Sequence, residues 1–514
     1  MMLGLSRRIA LFLNLNRRDY RTLLVTAFSL SLLTCAWIGL VANSSRAPTF
    51  PLDFDPIDLP GIEQDESSSS GSSGSGSGST LAVDQIVFGI AGSASLWIDR
   101  KELVRQWWRP LQMRGFVWHD DPVEPNLWDT GLPPIRISED TSRFRYTNVD
   151  GSPAGIRIAR IVLETVRMNL TGVEWLVLCD DDTVFSVDNL VRVLGTFDSS
   201  QMFYIGSVSE SHNQNVAFSH QMAFGGGGIA ISYPLAKALA RSQDRCLEHY
   251  PQLTGSDDRL YACILELGVP LTKHSGFHQM DIRGNPLGLL SAHPITPFVS
   301  MHHIEAMDPV FPELSRLESL QLLIKAMTSD SSNFLQQTIG YNKDKGFTFS
   351  ISTGYVVQVF DQLVYPRVLE KAEITFKAWN SRNGPTEFDL DTRKVKLPSP
   401  PFLFFLNNTM SSEDGGVVSE YKLYSPSAKE CKNYCWSRLL LPGMGHSKAP
   451  DFDTIRVVTR PLSNNWFKVP RRQCCRFGEV VNQVLSITIL PCEPGETVVN
   501  RRNSQHQSFV EKRM

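Results

Sequence analysis

The sequence lacks an excess of charge of either sign. Its 514 residues include 50 basic and 53 acidic side chains, which gives a formal net charge of −3. No run of Lys and Arg is long enough to follow a phosphate backbone. These absences argue against a protein that binds nucleic acid through a basic surface, and we expect no nucleic-acid partner.

Long apolar runs are scarce as well. The one uncharged run, residues 23–42, has about the 20 residues that a helix needs to cross a bilayer core. Because basic residues precede it, the positive-inside rule places the N-terminus in the cytosol and the rest in a lumen. A cleaved signal peptide and a core helix are the alternatives. The basic residues are Arg7, Arg8, Arg17, Arg18 and Arg21.

Side chains that build a core are missing from the segment after this run. Four prolines between residues 48 and 60 precede a stretch, 67–79, that is almost purely Ser and Gly, which is typical of a flexible tether. The sequence therefore predicts a single-pass type II membrane protein. Its parts are a cytosolic tail (1–21), a transmembrane signal anchor (22–42), a stem (43–80), an α/β domain (81–312), a β-rich domain (313–495) and a polar tail (496–514).

Apolar strands alternate with helical patterns beyond the stem. Strands are predicted at 86–91, 115–118, 175–179 and 202–206, with helices between them. This alternation predicts an α/β fold with a mainly parallel central sheet, whose active site lies beyond the carboxyl ends of the strands. From about residue 314 to 491 the pattern changes to β-rich, with strands predicted within 347–360, 372–379, 402–406, 454–458 and 484–490.

The most informative motif is Asp180-Asp181-Asp182, which directly follows the predicted strand at 175–179. Three adjacent carboxylates repel one another unless a divalent cation or a ribose hydroxyl uses them. Oxygen ligands suit Mg²⁺ or Mn²⁺. The alternative is a solvated turn or the N-cap of the helix that follows.

Three further motifs carry chemistry, each with a plainer alternative. One carboxylate of Asp257-Asp258 is suited to deprotonate an acceptor hydroxyl, or the pair caps a helix. The adjacent His302 and His303 offer a metal ligand from a distant part of the chain, although such pairs are more often not ligands. Four glycines at 225–228, between apolar residues, let another group approach the backbone, or form a flexible loop.

Cysteines and glycosylation motifs agree with a lumen. Cys246 and Cys263 bracket the second acidic pair and are candidates for a disulfide, although sequence leaves the connectivity open. Asn169 and Asn407 begin N-glycosylation acceptor triplets. Nine cysteines in the chain fit an oxidising compartment.

The order strand, Asp-Asp-Asp, Gly-rich strand, Asp-Asp and His-His, behind an anchor and a stem, resembles the Fringe-like glycosyltransferases of glycosyltransferase family 31. The chain looks most similar to the plant Fringe-related proteins that carry an uncharacterised C-terminal domain. The resemblance covers roughly residues 85–312. It implies a GT-A fold in the Golgi membrane, a UDP-sugar donor, and Mn²⁺ or, less typically, Mg²⁺. It also implies a glycan or glycoprotein acceptor and β-1,3 transfer of a hexose or N-acetylhexosamine with inversion.

The resemblance also suggests roles for individual residues. Asp182 matches the main metal ligand, and Asp180 and Asp181 assist with the metal and the nucleotide-sugar. Asp258 matches the general base, and His303 matches a late metal ligand.

The resemblance extends to three more positions. At two other places this sequence departs from the family's pattern. Gly226 and Gly227 match a strand beneath the donor and acceptor, and Asp120 faces the nucleotide. Animal Fringe proteins carry His-Ser-His where this chain has Met301-His302-His303, so the choice between the two histidines stays open. The residues that follow Asp258 lack the family's usual threonine and glycine, which bears on acceptor choice.

Two other functions compete with this one. A hydrophobic strand followed by Asp-x-Asp-x-Val also fits haloacid-dehalogenase-type phosphatases, in which the first Asp is a nucleophile. That strand normally opens the domain, whereas here other strands and helices precede it, and we find no later Lys and Gly-Asp pair of the expected type. A catalytically inactive carbohydrate-binding or scaffold protein is the second alternative, although it would not need all of Asp180, Asp182, Asp258 and His303.

Overall fold

The computed structural model describes residues 81–124, 129–379, 387–394, 400–425 and 449–499. All of them belong to one compact unit, Gly78–Met514. The predicted cytosolic tail, anchor and stem, and most of the polar tail, lie outside the described residues. Within the described ranges, no helix is both long and apolar enough to span a bilayer.

The first part of the described chain alternates strands and helices as predicted. Its strands are β1 Ile86–Ala91, β2 Arg114–His119, β3 Ile135–Ile137, β4 Trp175–Asp180, β5 Val184–Phe185, β6 Tyr204–Gly206, β7 Ile229–Ser232, β8 Leu271–Lys273, β9 Phe277–His278, β10 Ile282–Gly284 and β11 Ser300–Met301. Its helices are α1 Trp97–Trp107, α2 Ala154–Ala159, α3 Ile161–Arg167, α4 Val187–Leu194, α5 His212–Ala217, α6 Tyr233–His249, α7 Ser256–Glu266 and α8 Leu287–Leu290, with short 3₁₀ turns at Val83–Gln85 and Ile304–Ala306.

Seven of these strands form the central sheet, in the order β3-β2-β1-β4-β7-β6-β8. Neighbouring strands are parallel except at β7, which runs antiparallel to both β4 and β6. The prediction of an α/β fold with a mainly parallel sheet is therefore confirmed. Since β4 ends where β7 begins, with Leu178 opposite Ile229, the glycines that precede β7 lie at the same edge as the acidic residues that end β4.

The second part of the chain is β-rich, as predicted. Its strands are β12 Gln337–Asn342, β13 Phe347–Ser352, β14 Val356–Phe360, β15 Ala372–Glu373, β16 Phe376–Ala378, β17 Thr392–Arg393, β18 Phe402–Ser411, β19 Val417–Leu423, β20 Thr454–Thr459, β21 Cys474–Val481 and β22 Val484–Leu490. Its helices within the described residues are α9 Arg316–Ser329, α10 Pro366–Leu369 and α11 Asn464–Lys468. Eight strands form one sheet, β12-β13-β14-β18-β19-β20-β22-β21, in which only β20 and β22 are parallel neighbours.

Helix α9 was not predicted, although the sequence carries its start signal. Ser315 is the N-cap, and its side chain accepts a hydrogen bond from the Glu318 amide at 3.3 Å, while the Glu318 side chain accepts from the Ser315 amide at 2.9 Å. This Ser-x-x-Glu capping box is a recognisable helix start.

The two parts share a hydrophobic core. Phe298 and Phe334 lie edge to face with ring centres 5.1 Å apart, and both belong to a buried cluster that extends into β13. In addition, β16 pairs antiparallel with β10, with Ala378 opposite Ile282. A strand of the β-rich part therefore lies directly beside a strand of the first part.

Two disulfides lie within the described ranges. Cys246 pairs with Cys263 and ties α6 to α7, and Cys474 pairs with Cys492. Cys179 is buried and forms no disulfide, and at the end of an apolar strand it packs as a small apolar side chain.

Removing the first disulfide by the double substitution Cys246→Ser and Cys263→Ser should destabilise the protein. The bridge closes a loop of 17 residues, and loss of a loop near this size costs about 3 kcal/mol in the chain-entropy treatment. Urea unfolding of the region from Leu81 onward, produced as a secreted protein, measures the loss. Cys475→Ser removes a thiol that forms no disulfide and serves as the control. A double variant as stable as this control would contradict the expectation.

Candidate active site

The acidic triplet forms a tight turn at the carboxyl end of β4. The Thr183 amide donates to the Asp180 carbonyl at 3.2 Å, and the Asp181 amide donates to the Ala91 carbonyl, at the end of β1, at 3.0 Å. Helix α4 begins only at Val187 and has Ser186 as its N-cap. The three carboxylates therefore do not cap this helix, and they sit at the sheet edge where active sites of such folds lie.

Pairing of two short strands brings His302 to this turn. Met301 of β11 lies opposite Val184 of β5, so that the next residue along β11 reaches the acidic turn. His302 Nε2 is 2.9 Å from Asp182 Oδ1 and 3.6 Å from Asp180 Oδ2. His302 Nδ1 is 3.3 Å from the Gln279 carbonyl, which only accepts hydrogen bonds. The Nδ1–H must therefore be the donor, and this contact aims Nε2 at the carboxylates.

His303 points elsewhere. Its backbone is left-handed, with φ 53°, so that the two neighbouring histidines present their rings to different partners. His303 Nδ1 lies 3.1 Å from Asp281 Oδ1, and its ring stacks on Trp379. The resemblance offered His303 as the late metal ligand. The structure instead groups His302 with the acidic turn.

The three carboxyl groups of the turn differ in their electrostatics. Burial opposes ionisation of Asp182, but its hydrogen bond from His302 and the charge of Arg100 hold the pKa of Asp182 below its ordinary value. Desolvation in this crowded site raises the pKa of Asp180 to about 7, even though 40% of its side chain is exposed. Burial and the charge of Asp182 raise the pKa of Asp181 to about 6. Among the three, Asp182 is the carboxyl group for which the favourable contacts with His302 and Arg100 outweigh burial.

Arg100 is one of the groups that balance Asp182. It extends from α1 and forms an ion pair with Asp182 Oδ2, while its second nitrogen is 3.0 Å from Glu305 Oε2. Asp181 Oδ1 lies 3.7 Å from the same guanidinium. Arg100 is not among the site residues predicted from the sequence. A basic residue early in the helix that follows β1 was the only signal.

The donor set fits a divalent cation. One ligand atom from each of Asp180, Asp182 and His302 lies within 4.8 Å of the others. Asp181 Oδ2 is buried and has no hydrogen-bond partner among the described residues. Carboxylate oxygens with an imidazole nitrogen suit Mn²⁺, and carboxylates alone suit Mg²⁺.

The glycines at 225–228 connect the separate parts of the site. Gly225 N–H donates to Asp257 Oδ2 at 2.8 Å, and the Gly226 carbonyl accepts from Thr183 Oγ1 at 2.8 Å. Gly227 N–H donates to the Gln279 side chain at 2.7 Å. A Cβ on Gly226 would overlap the ring of His302, and one on Gly225 would overlap the Asp257 carboxylate. The absence of side chains here is thus a requirement of the site, not a mark of a flexible loop.

The second acidic pair lies in the first turn of α7. The N-cap of this helix is Gly255, so that neither aspartate is the cap residue. Asp257 accepts from Gly225 and from Ser256 Oγ at 3.0 Å, and it lines a small cavity together with Asp180. Asp258, by contrast, has no side-chain hydrogen bond to any described residue, whereas burial raises the pKa of both carboxyl groups. The Asp258 carboxylate is therefore the one left available to accept a proton.

Asp120 lies at the end of β2 and is exposed. Its carboxylate accepts from the Ala94 amide at 2.9 Å and from Ser93 Oγ at 3.2 Å, in the loop that follows β1. The structure thus places Asp120 at the same sheet edge as the acidic turn, but outside the group formed with His302. Its contact with a nucleotide stays a prediction, as does glycosylation of Asn169 and Asn407, both of which are exposed.

Comparison with known proteins gives a matching family and two similar curated proteins. The model of a family described as "Protein of unknown function, DUF604" matches residues 214–475, just over half of the chain. A mouse β-1,3-glucosyltransferase is 34% identical over 228 residues, which is 44% of this chain and 42% of the relative. A human β-1,3-glucosyltransferase is 27% identical over 215 residues, or 41% of this chain and 38% of the relative. The chain thus spans less than half the length of these curated relatives.

A solved structure is also similar over part of the chain. It is the crystal structure of a glycosyltransferase involved in the glycosylation of the major capsid of PBCV-1. It is 11% identical, with a TM-score of 0.25, and covers 46% of this chain and 96% of its own. A likeness of this size does not bear on the fold or the function.

Replacing Gly226 with Ala should weaken binding of Mn²⁺. The new methyl group overlaps the buried ring of His302, which then has to move away from Asp182. Displacing a metal ligand or its support typically lowers metal affinity about 10- to 100-fold, which isothermal titration calorimetry measures. Gly478→Ala is the control, because its Cβ meets only an ordinary contact at 3.4 Å from Ser486. Equal affinities for the two folded variants would refute the role of Gly226.

Proposed function

Since the chain belongs to the DUF604 family, described as proteins of unknown function, and resembles β-1,3-glucosyltransferases, we propose that it is a metal-dependent glycosyltransferase. It transfers a hexose or N-acetylhexosamine from a UDP-sugar to a hydroxyl group of a glycan or glycoprotein, with inversion and a β-1,3 linkage, on a GT-A fold. The observation that carries this proposal is the convergence of Asp180, Asp182 and His302 at the carboxyl edge of the central sheet. The name of the curated relatives makes glucose the first donor sugar to test.

The acidic turn and His302 form the metal and donor end of the site. Asp182 and His302 would hold a divalent cation, with Asp180 as a further ligand, and Asp181 faces the nucleotide-sugar. A cation bound there neutralises the diphosphate and so makes it a better leaving group. Gln279 keeps the imidazole oriented through its carbonyl. Gly226 and Gly227 let the ring of His302 and the backbone at Gln279 pack closely beneath the donor site, and Asp120 contributes at the nucleotide side of the sheet edge.

The first turn of α7 forms the acceptor end. Asp258, which has a raised pKa and no competing hydrogen bond from a described residue, takes the proton from the acceptor hydroxyl as that oxygen attacks the anomeric carbon. The attack comes from the face opposite the diphosphate, so that a single displacement inverts the anomeric centre. Asp257 holds α7 against the glycine segment through Gly225. Placement of both substrates against this fixed frame supplies much of the remaining rate acceleration.

The proposed location is the Golgi membrane. This rests on the uncharged run at 23–42 and the Ser- and Gly-rich stem in the sequence, both of which lie outside the described residues. The catalytic part would face the lumen, where disulfides such as Cys246–Cys263 persist.

A panel of UDP-sugars tests the proposal. The region from Leu81 onward, produced as a secreted protein, should release UDP from one donor in the presence of Mn²⁺. Chelation of the Mn²⁺ should abolish this release. Asp182→Ala should lower the rate by about two orders of magnitude or more, because it removes the charge that holds the cation. Asp414→Ala, which removes an exposed aspartate paired with Arg460, should behave as the parent protein. Folded protein that neither turns over any donor nor binds UDP or Mn²⁺ would instead favour an inactive carbohydrate-binding or scaffold protein.

The two residues of the second acidic pair should differ sharply when each is changed to Asn. Asp258→Asn should lower the rate of sugar transfer about 10²- to 10⁴-fold, because it removes the general base, and should leave Mn²⁺ affinity unchanged. Asp257→Asn should retain most activity, since the amide oxygen can still accept from Gly225 N–H. Steady-state rates with the preferred donor, alongside Mn²⁺ titrations, compare the two variants. The reverse ranking would assign the base to Asp257.

A further inference from the structure

An aromatic side chain of the β-rich part reaches the proposed metal site. Trp379 directly follows β16, and its indole stacks on the ring of His303 with centres 4.1 Å apart and planes 8° apart. The His303 ring in turn lies 3.7 Å, centre to centre, from the ring of His302. Three consecutive rings thus connect the β-rich part to the histidine that contacts Asp182.

Contacts with the segment around β10 hold both the backbone and the indole ring of Trp379. The pairing of β16 with β10 ends at Ala378, opposite Ile282. Just beyond it, the Trp379 amide donates to the Asp281 carbonyl at 3.1 Å, and Arg283 Nε donates to the Trp379 carbonyl at 3.2 Å. The Arg283 guanidinium carbon also lies 4.2 Å from the indole centre, within the range of a cation–π contact.

His303 needs such support. Its left-handed backbone, with φ 53°, is uncommon for a residue other than glycine, and a conformation of this kind persists only where surrounding contacts hold it. Asp281 supplies one contact, at 3.1 Å from His303 Nδ1, and is itself buried and bonded to Ser209 Oγ at 2.6 Å. The indole supplies the other, over the ring face.

His302 is held by Asp182 at Nε2, by the Gln279 carbonyl at Nδ1 and, over its ring face, by the ring of His303. At 3.3 Å, its hydrogen bond to the Gln279 carbonyl is longer than most N–H···O bonds, so that the contact with the His303 ring adds to the restraint. Because Gly226 has no side chain, the ring of His302 packs directly against the backbone there. The ring of His303 packs against the ring of His302, with centres 3.7 Å apart, and so restricts its rotation.

We propose that Trp379 is a positioning residue, which holds His302 against Asp182 through the ring of His303. The β-rich part then does more than pack against the catalytic part, since it completes the geometry of the metal-binding group. This inference rests on the proposed function only for the consequence that metal binding depends on Trp379. The positioning itself is a property of the protein without metal.

The reactivity of His302 in the metal-free, full-length chain tests the positioning directly. Diethyl pyrocarbonate modifies accessible imidazoles, and mass spectrometry assigns the modified residue. His302 is 3% exposed and should react slowly in the parent protein. Trp379→Ala should raise its rate of modification several-fold, and Trp379→Phe, which keeps an aromatic face, should restore most of the protection. Trp466→Ala deletes an indole that packs on Phe467 and should leave the rate unchanged.

Mn²⁺ titration of the same variants gives the second readout. Trp379→Ala should bind Mn²⁺ about 10-fold or more weakly, in the range found for lost support of a metal ligand, and Trp379→Phe should recover most of the affinity. Folded Trp379→Ala whose His302 reacts at the parent rate would overturn the proposal, even if the parent protein proves to be an active transferase. A change in substrate KM alone, with His302 protection and Mn²⁺ affinity intact, would overturn it too and make Trp379 a substrate contact.

The two readouts separate the positioning from the function. If His302 loses its protection in Trp379→Ala while the parent protein binds no Mn²⁺, the positioning stands and the metal-dependent function falls. If the parent protein binds Mn²⁺ and Trp379→Ala binds it equally well with His302 still protected, the function stands and the positioning falls.

Discussion

The backbone of Gly225, Gly226 and Gly227 lies within hydrogen-bond distance of four segments that are far apart in the sequence. It bonds to Thr183 of the acidic turn, to Asp257 of α7, to Gln279 beside β9, and to Ser300 of β11. Side chains at these positions would push His302 and Asp257 away. The antiparallel pairing of β7 with β4 is also required, because it places the start of β7 at the edge of the sheet where β4 ends. The candidate site therefore depends on a close approach that only glycine permits.

The carboxyl groups at this edge of the sheet make the candidate site suited to a cation. His302 and Arg100 balance Asp182, whereas Asp180 and Asp181 keep raised pKa values because of their burial and of their neighbours' charges. Carboxyl groups gathered in this way lower the free energy of any cation that enters among them. With Asp258 on the adjoining helix, the arrangement combines a candidate cation site with a candidate proton acceptor, which are the two groups that the proposed sugar transfer uses.

Local signals in the sequence predicted the parts of this site, and long-range pairing determined how they assemble. The strands that end at Ala91 and Asp180 are apolar runs, so their positions and the acidic turn could be predicted. The choice of His302 over His303 depends on the register of β5 with β11 and on a left-handed backbone, which no local pattern reveals. Trp379 reaches the site only because β16 pairs with β10. Helix α9, in contrast, could have been predicted from the sequence alone, because its Ser-x-x-Glu capping box is a local signal.

The most direct test of the account is an anomalous difference map, recorded at the manganese edge, from crystals grown with Mn²⁺ and UDP. The account predicts one strong peak bounded by Asp182, His302 and Asp180, with the diphosphate beside it. A peak on His303, or an ordered UDP at this edge with no manganese peak, would contradict the claim that the glycine segment builds a cation site for sugar transfer.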